Sequence, residues 1–184
     1  MHACIVRPAK PPMTSALAVA FAVVALAASA GPTTAANDPT EGSGLPVPRF
    51  VSLKSDHVNV RGGPNKDHDV AWVYTRPALP VEITAEYENW RRIRDWEGAE
   101  GWVYHSLLSG KRTAIVAKSK AATGPAALRE SADLESPLKA MLEPGVLGTV
   151  KRCSGRWCRF LGSGFDGWIE QERLWGVYPN EKVE

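Results

Sequence analysis

From Arg49 onward the chain alternates apolar and polar positions in short runs with a period of two, the signature of half-buried strands. Phe50-Val51-Ser52-Leu53 and Val58-Asn59-Val60 are the first two runs, and Gly62-Gly63-Pro64-Asn65 then breaks the chain into a loop. Val70-Ala71-Trp72-Val73-Tyr74 is the next predicted strand, followed by a bend punctuated by Pro77 and Pro80. Val81 to Ala85 and Trp90 to Arg94 predict a hairpin around Glu88-Asn89, and Gly101-Trp102-Val103-Tyr104 a last short strand.

The second half repeats this order. Ala127-Leu128-Arg129-Glu130 stands where Asn59-Val60-Arg61-Gly62 stood, and Pro144-Gly145-Val146 precedes a strand as Pro80-Val81 does. Trp157-Cys158-Arg159-Phe160 parallels Trp90-Arg91-Arg92-Ile93, and Gly167-Trp168-Ile169 parallels Gly101-Trp102-Val103. The spacing from Arg61 to Trp102 is 41 residues and that from Arg129 to Trp168 is 39. Units of about 60 residues are too small for a sandwich and suit a compact, curved barrel. The predicted fold is therefore all-β, two tandem small five-stranded barrels at 49–110 and 127–178, with a tail at 179–184. Residues 111–126 hold Lys111, Arg112, Lys118, Lys120 and several Ala with no aromatic anchor, and read as an exposed linker. Thr113 to Val116 could instead form a terminal strand of the first barrel.

The N-terminal segment has a different character. Arg7 and Lys10 precede an apolar run from Ala16 to Ala28, and Ala28-Ser29-Ala30 offers the small residues a signal peptidase requires. Residues 1–30 read as a signal peptide, with Met13 to Ala30 as an uncleaved anchor the rival and a second cleavage site ending at Ala36. Residues 31–48, rich in Gly, Pro, Thr and Ser, read as a flexible leader. The expected location is periplasmic or secreted, with no stable membrane insertion after cleavage. Cys4 leaves with the signal, so Cys153 and Cys158 remain as an even pair flanking a predicted turn at Ser154 to Trp157. A structural disulfide is expected there. The rival reading is a redox pair, against which stand the spacing and the lack of a following helix start.

Charge narrows the partners. The chain has 22 Lys and Arg against 20 Asp and Glu, and without residues 1–30 the two classes balance. Phosphate binding needs clustered excess cation, so nucleic acid is not an expected partner. Seven Trp, 16 Gly and 14 Pro fit many short strands and tight turns.

Val58-Asn59-Val60-Arg61-x-Gly63-Pro64, the later Trp90-x-x-Ile93 and the terminal Gly101-Trp102-Val103 resemble the bacterial SH3-like domain, a five-stranded barrel common in exported envelope proteins. The resemblance spans about 49–110 and, more weakly, 124–178, where the second copy lacks the Asn and the Gly-Pro. A tandem pair behind a signal peptide is also similar to a group of small exported proteobacterial proteins. The resemblance implies binding of cell-wall peptide or glycan, or of an envelope protein, although a fold alone does not fix a function.

Residues repeated in both copies are those a scaffold needs, so Trp90, Trp102, Trp157 and Trp168 are the predicted barrel-core aromatics, with ligand contact the alternative. Trp72, Tyr74, Tyr87 and Trp96 occur in the first unit only and are the predicted ligand-binding residues. Alternation puts Trp72 and Tyr74 on one face, where an aromatic groove would suit an extended peptide or sugar chain. The alternative makes one of the two core. Asp95, Glu97 and Glu100 would place acid at its rim. Catalysis is not expected: His57, His68 and His105 are scattered, Lys66-Asp67-His68-Asp69 reads as a hydrophilic turn, and no phosphate loop, nucleophile elbow or zinc-helix motif is present. No metal or cofactor is expected. The expected function is an exported, non-catalytic protein recognising peptidoglycan or its peptide. The alternatives are a protein-interaction module or adaptor for an envelope enzyme or secretion system, and a first barrel held out by the second as a spacer.

Overall fold

In the computed structural model the described residues are 42–117 and 124–184. The predicted signal peptide, the leader up to residue 41, and Lys118 and Lys120 of the predicted linker lie outside them. The described residues form two antiparallel sheets and no α-helix. The first sheet contains β1 (Arg49–Leu53), β2 (Val58–Arg61), β3 (Val70–Tyr74), β4 (Pro80–Tyr87), β5 (Trp90–Arg94), β6 (Glu100–Tyr104) and β7 (Leu108–Ser109). The second contains β8 (Thr113–Val116), β9 (Ala126–Arg129), β10 (Leu138–Leu142), β11 (Leu147–Ser154), β12 (Trp157–Gly162), β13 (Phe165–Glu170), β14 (Leu174–Trp175) and β15 (Lys182–Val183).

The two sheets have the same topology. The first runs β3-β2-β6-β5-β4-β1-β7 and the second β10-β9-β13-β12-β11-β8-β14, with β15 added on β11. Both are tandem SH3-like barrels, and each has an opening strand and a two-residue closing strand around the predicted hairpins. Bulges recur at matching places: between Ile83 and Ala85 on β4, and between Val150 and Arg152 on β11. An extra residue there raises the local twist and bends a long strand around a small barrel. The β4–β5 hairpin turns at Glu88-Asn89 as predicted, with Tyr87 opposite Trp90. In β11–β12, Cys153 lies opposite Cys158 and the two form the expected disulfide, with Cα atoms 4.1 Å apart. Gly155, at φ 91°, supplies the left-handed residue of that turn.

Inward positions of alternate residues fill each barrel. Val58, Val60, Val81, Ile83, Ile93 and Val103 lie at the centre of the first core, and Leu128, Val150, Cys158, Phe160 and Ile169 at the centre of the second. Ile115 of β8 belongs to the first core although its strand is part of the second sheet. The barrels therefore share apolar contact. Phe50 packs edge-on against Trp175, with ring centroids 5.2 Å apart, and against Tyr178 at 4.7 Å. Across the same seam the Thr113 hydroxyl donates to the Ala78 carbonyl at 2.7 Å and the Tyr178 hydroxyl to Glu82 Oε1 at 2.9 Å.

Four sequence expectations are corrected. Residues 113–116 are not exposed linker; all four side chains are buried, and they open the second barrel rather than closing the first. Their short β-branched run packs on both sides and needs no aromatic. The 179–184 tail is ordered on the second barrel: Val183 pairs with Cys153, and Glu181 accepts two hydrogen bonds from Arg112 at 2.7 and 2.9 Å. The end of the leader is anchored, since the Ser43 hydroxyl and the Arg49 guanidinium both donate to Glu86. Pro144 is equivalent to Pro77, not Pro80, because Ala78 and Gly145 are the matching left-handed residues, at φ 63° and 91°, and each donates its amide back to the opening strand.

Candidate functional site

The repeated residues build one surface rung per barrel. Val60, Ile93 and Val103 point inward, so Arg61, Arg92 and Trp102 point outward on β2, β5 and β6. The register places Trp102 opposite Arg61 on one side and Arg92 on the other, and in the second barrel Trp168 lies opposite Arg129 and Arg159. Both Trp are half-buried, which corrects their reading as core residues. The acid two residues before each Trp pairs with the β5-type arginine: Glu100 with Arg92 at 2.5 Å, and Asp166 with Arg159 at 2.8 Å. The Gly between acid and Trp faces inward, where a Cβ at Gly167 would come within 2.6 Å of the Arg129 carbonyl. The acid-Gly-Trp signature is thus a packing and pairing device. Trp90 and Trp157 are buried, but they lie outside the two barrel cores, on the outer side of their strands.

Beside the first rung, Trp90 and Tyr104 are opposite each other on β5 and β6, with rings edge-on at 5.5 Å. They floor an open pocket of about 300 Å³ that Asn59, Arg61, Lys66 and Ser106 complete. Arg61 Nη1 donates to the carbonyls of Lys66 at 3.2 Å and His68 at 2.6 Å, which ties the loop after β2 to the sheet. Asn65 Oδ1 accepts the amides of Asp67 and His68 and tightens that loop, and His68 packs where a side chain on Gly63 would stand. Lys66 is thereby held at the pocket mouth. The ion pairs of the described residues include neither Arg61 nor Lys66. The pocket therefore joins an apolar floor to two uncompensated cations.

The sequence model of the bacterial SH3 domain matches residues 54–110 and again 122–176. The chain belongs to the bacterial SH3 domain family. Among solved structures, NlpC2 from Trichomonas vaginalis is similar with a TM-score of 0.31 and 12% identity, over 70% of this chain and 48% of that one. NlpC1 from the same organism is similar with a TM-score of 0.30 and 13% identity, over 73% of this chain and 48% of that one. The chain spans about half the length of these two structures. No curated protein matches the sequence.

The two SH3 barrels differ at the pocket. Glu170 takes the register position of Tyr104, opposite Trp157, and donor Arg156 neutralises it at 2.9 Å. Ala127 replaces Asn59, Glu172 replaces Ser106, and residues 130–137 contain no cation. A cavity of about 600 Å³ on the second barrel shares only the positions of Glu170 and Glu172 with the first pocket and is otherwise lined by residues that include Arg156, Leu174, Val177 and Asn180. The positions that hold Tyr104 and Ser106 in the first copy thus hold two carboxylates in the second, one of them paired with Arg156.

The four predicted ligand-binding residues are not brought together. Tyr74 is buried, and its hydroxyl donates to Asp95 Oδ2 at 2.8 Å. Burial, then that hydrogen bond, pushes its phenol well above the ordinary value. Trp72 is half-buried and edge-on to Tyr74 at 6.1 Å, over the inward face of Gly101. Trp96 is exposed just beyond β5, and Tyr87 is exposed at its other end opposite Trp90. Tyr87 and Trp96 therefore sit at opposite ends of β5. Asp95 is no rim acid: it is buried, and its Oδ1 accepts the amides of Glu97 at 3.0 Å and Ala99 at 2.9 Å. His57, His68 and His105 are exposed, and among the described residues no group of three or more His, Cys, Asp and Glu is placed to hold a metal ion.

Asn59, Arg61, Lys66 and Tyr104 escape a search for unrepeated aromatic clusters. Parity was the available signal: in an unbroken strand Trp90 and Ile93 face opposite ways, as do Val103 and Tyr104, so both rings belong to the outer face.

Proposed function

We propose that the protein is an exported, non-catalytic binding protein that recognises peptidoglycan, its peptide or its glycan, through the pocket of its first SH3 barrel. The observation that carries this reading is the pocket's composition. Arg61 and Trp90 recur as Arg129 and Trp157, but the ring of Tyr104 and a second cation, Lys66, occur in one copy of the duplicated scaffold and not in the other, so the scaffold itself does not require them. Cell-wall peptide and glycan present apolar faces between polar and acidic groups, which such a surface complements. The Cys153–Cys158 disulfide supports a periplasmic or secreted location, as does the N-terminal apolar segment. Co-sedimentation of the purified protein with protein-free sacculi, at low and moderate salt, tests the reading. Saturable retention that survives moderate salt is expected; retention no greater than that of an unrelated exported protein would overturn it.

A second reading, an adaptor for an envelope enzyme or secretion system, is favoured by the edge strands. β3 and β10 end their sheets and expose Val70 and Val73, and Leu138 and Met141, at matching positions. Exposed apolar edges can accept a strand from a partner. Charged substitutions at Val73 and Met141 that abolish capture of an envelope protein, while leaving sacculus retention intact, would favour this second role.

A further inference from the structure

We propose that the first-barrel pocket recognises a free carboxylate, such as the terminus or acidic side chain of a peptide, and that the second barrel rejects it. The inference rests on reading this pocket as the ligand site and narrows it to the group bound.

Arg61 is oriented for this task. Both of its hydrogen bonds to the loop leave from Nη1, so Nε and Nη2 make none with the described residues. A guanidinium fixed at one nitrogen presents its other donors in a planar fork, the geometry that matches a carboxylate. Its neighbours on the first barrel's outer side, Arg92 and Arg94, are already paired with Glu100 and Glu82. No acidic residue lines the pocket, and Lys66, exposed at its mouth, adds a second positive charge. Asn59 and Ser106 supply neutral donors beside them. The floor of Trp90 and Tyr104 excludes water from one side, which strengthens a charged contact made against it and gives the adjoining apolar part of the ligand a surface. In the second barrel Glu170, paired with Arg156, and Glu172 occupy the places of Tyr104 and Ser106, and the 130–137 loop carries Glu130, Asp133 and Glu135 with no cation, so a carboxylate arriving there meets net negative charge.

The test is titration of the full chain with acetyl-Ala-Ala as the free acid and as its C-terminal amide, followed through the Trp indole NMR signals. The acid should shift the Trp90 signal saturably and bind about tenfold more tightly than the amide, the ratio for one hydrogen-bonded ion pair. Lys66→Ala should weaken the acid severalfold, whereas Lys151→Ala, an equal change of charge on the second barrel, should not. Tyr104→Glu, checked for fold by circular dichroism, should abolish the preference for the acid. Equal binding of acid and amide, no binding of the acid at millimolar concentration, or equal effects of the two Lys variants would overturn the inference. Sacculi with amidated peptide carboxyls separate it from the wider reading. Retention that is undiminished by amidation overturns carboxylate recognition and leaves wall binding standing. Retention on neither preparation overturns wall binding, and the peptide titration then decides the carboxylate independently.

Discussion

Tyr74→Phe separates a core role from a binding role at the residue where the sequence left both open. Tyr74 is 8% exposed and Asp95 is 4% exposed, so the hydrogen bond between them is shielded from water. Phe keeps the ring and its edge-on contact with Trp72 and removes only the hydroxyl. The Asp95 carboxylate then loses one of three protein donors and retains the amides of Glu97 and Ala99. A buried hydrogen bond to a charged group contributes about 1.5–3 kcal/mol, and leaving such an acceptor short of a partner costs an amount in the same range. A loss of about 2 kcal/mol is expected, an increase of about 30-fold in the unfolded fraction. Urea denaturation of the full chain, followed by Trp fluorescence, measures it through a lower midpoint at unchanged slope. If a 60-residue barrel unfolds by itself, the melting temperature should fall by about 8–16 °C, and by about half that if both barrels unfold together. Asp95→Asn in a double-mutant cycle with Tyr74→Phe should reveal coupling, because the two side chains share one bond. A loss under about 0.5 kcal/mol, within the range of ordinary surface substitutions, would refute the assigned core hydrogen bond. Unchanged stability with weakened retention on sacculi would return Tyr74 to the ligand site.

Gly167→Ala should cost about 1–3 kcal/mol by overpacking, and more than Gly101→Ala, because its new Cβ meets the Arg129 carbonyl while the Gly101 clash is with the Val60 side chain; thermal melts of the two variants give the order. Replacing Cys153 and Cys158 with Ala should cost about 2 kcal/mol on the chain-entropy account of so short a loop, read as a lower urea midpoint than that of the oxidised parent. Burial pushes the Glu181 carboxyl up, but hydrogen bonds from Arg112 and the Tyr178 amide outweigh it and hold the group below its ordinary 4.5. Its folded-state value is depressed, so its contribution to stability is present above pH 4.5 and is lost as pH falls through the lower folded value; Glu181→Gln should flatten that part of the acid-side decline in melting temperature.

The strands, turns and duplication were legible because each rests on local signals: alternation, Gly and Pro punctuation, and a repeated order of Arg, Trp and Gly-Trp. Thr113–Val116 reads either as linker or as a last strand of the first barrel, because four small and β-branched residues beside a basic, alanine-rich stretch carry no period long enough to show which barrel they open or close. Pro144 aligns with Pro80 by sequence alone, since both precede a strand. The equivalence that holds is between the left-handed residues Ala78 and Gly145, one of which sequence gives no reason to suspect. Size and repetition suggest a core role for Trp102 and Trp168, whereas adjacent inward Val103 and Ile169 place them on the outside. The pocket was beyond sequence reasoning for a topological reason. Asn59, Lys66, Trp90 and Tyr104 meet only because β6 inserts between β2 and β5, a non-local pairing that no periodicity encodes.

Duplication also supplies an internal control that a single barrel lacks. Where the copies agree, at Arg92 and Arg159 and at Gly101-Trp102 and Gly167-Trp168, the shared geometry explains the residues without a ligand. Where they differ on that same scaffold, the difference has no structural necessity: the second copy folds with Glu170 in the place of Tyr104 and Ala127 in the place of Asn59. The seam strengthens this contrast. Ile115 in the first core, Phe50 against Trp175 and Tyr178, and the Tyr178–Glu82 hydrogen bond join the copies through buried contacts rather than a free tether. A partner that engages both barrels meets one preset arrangement and forgoes little orientational freedom beyond that lost in binding the first.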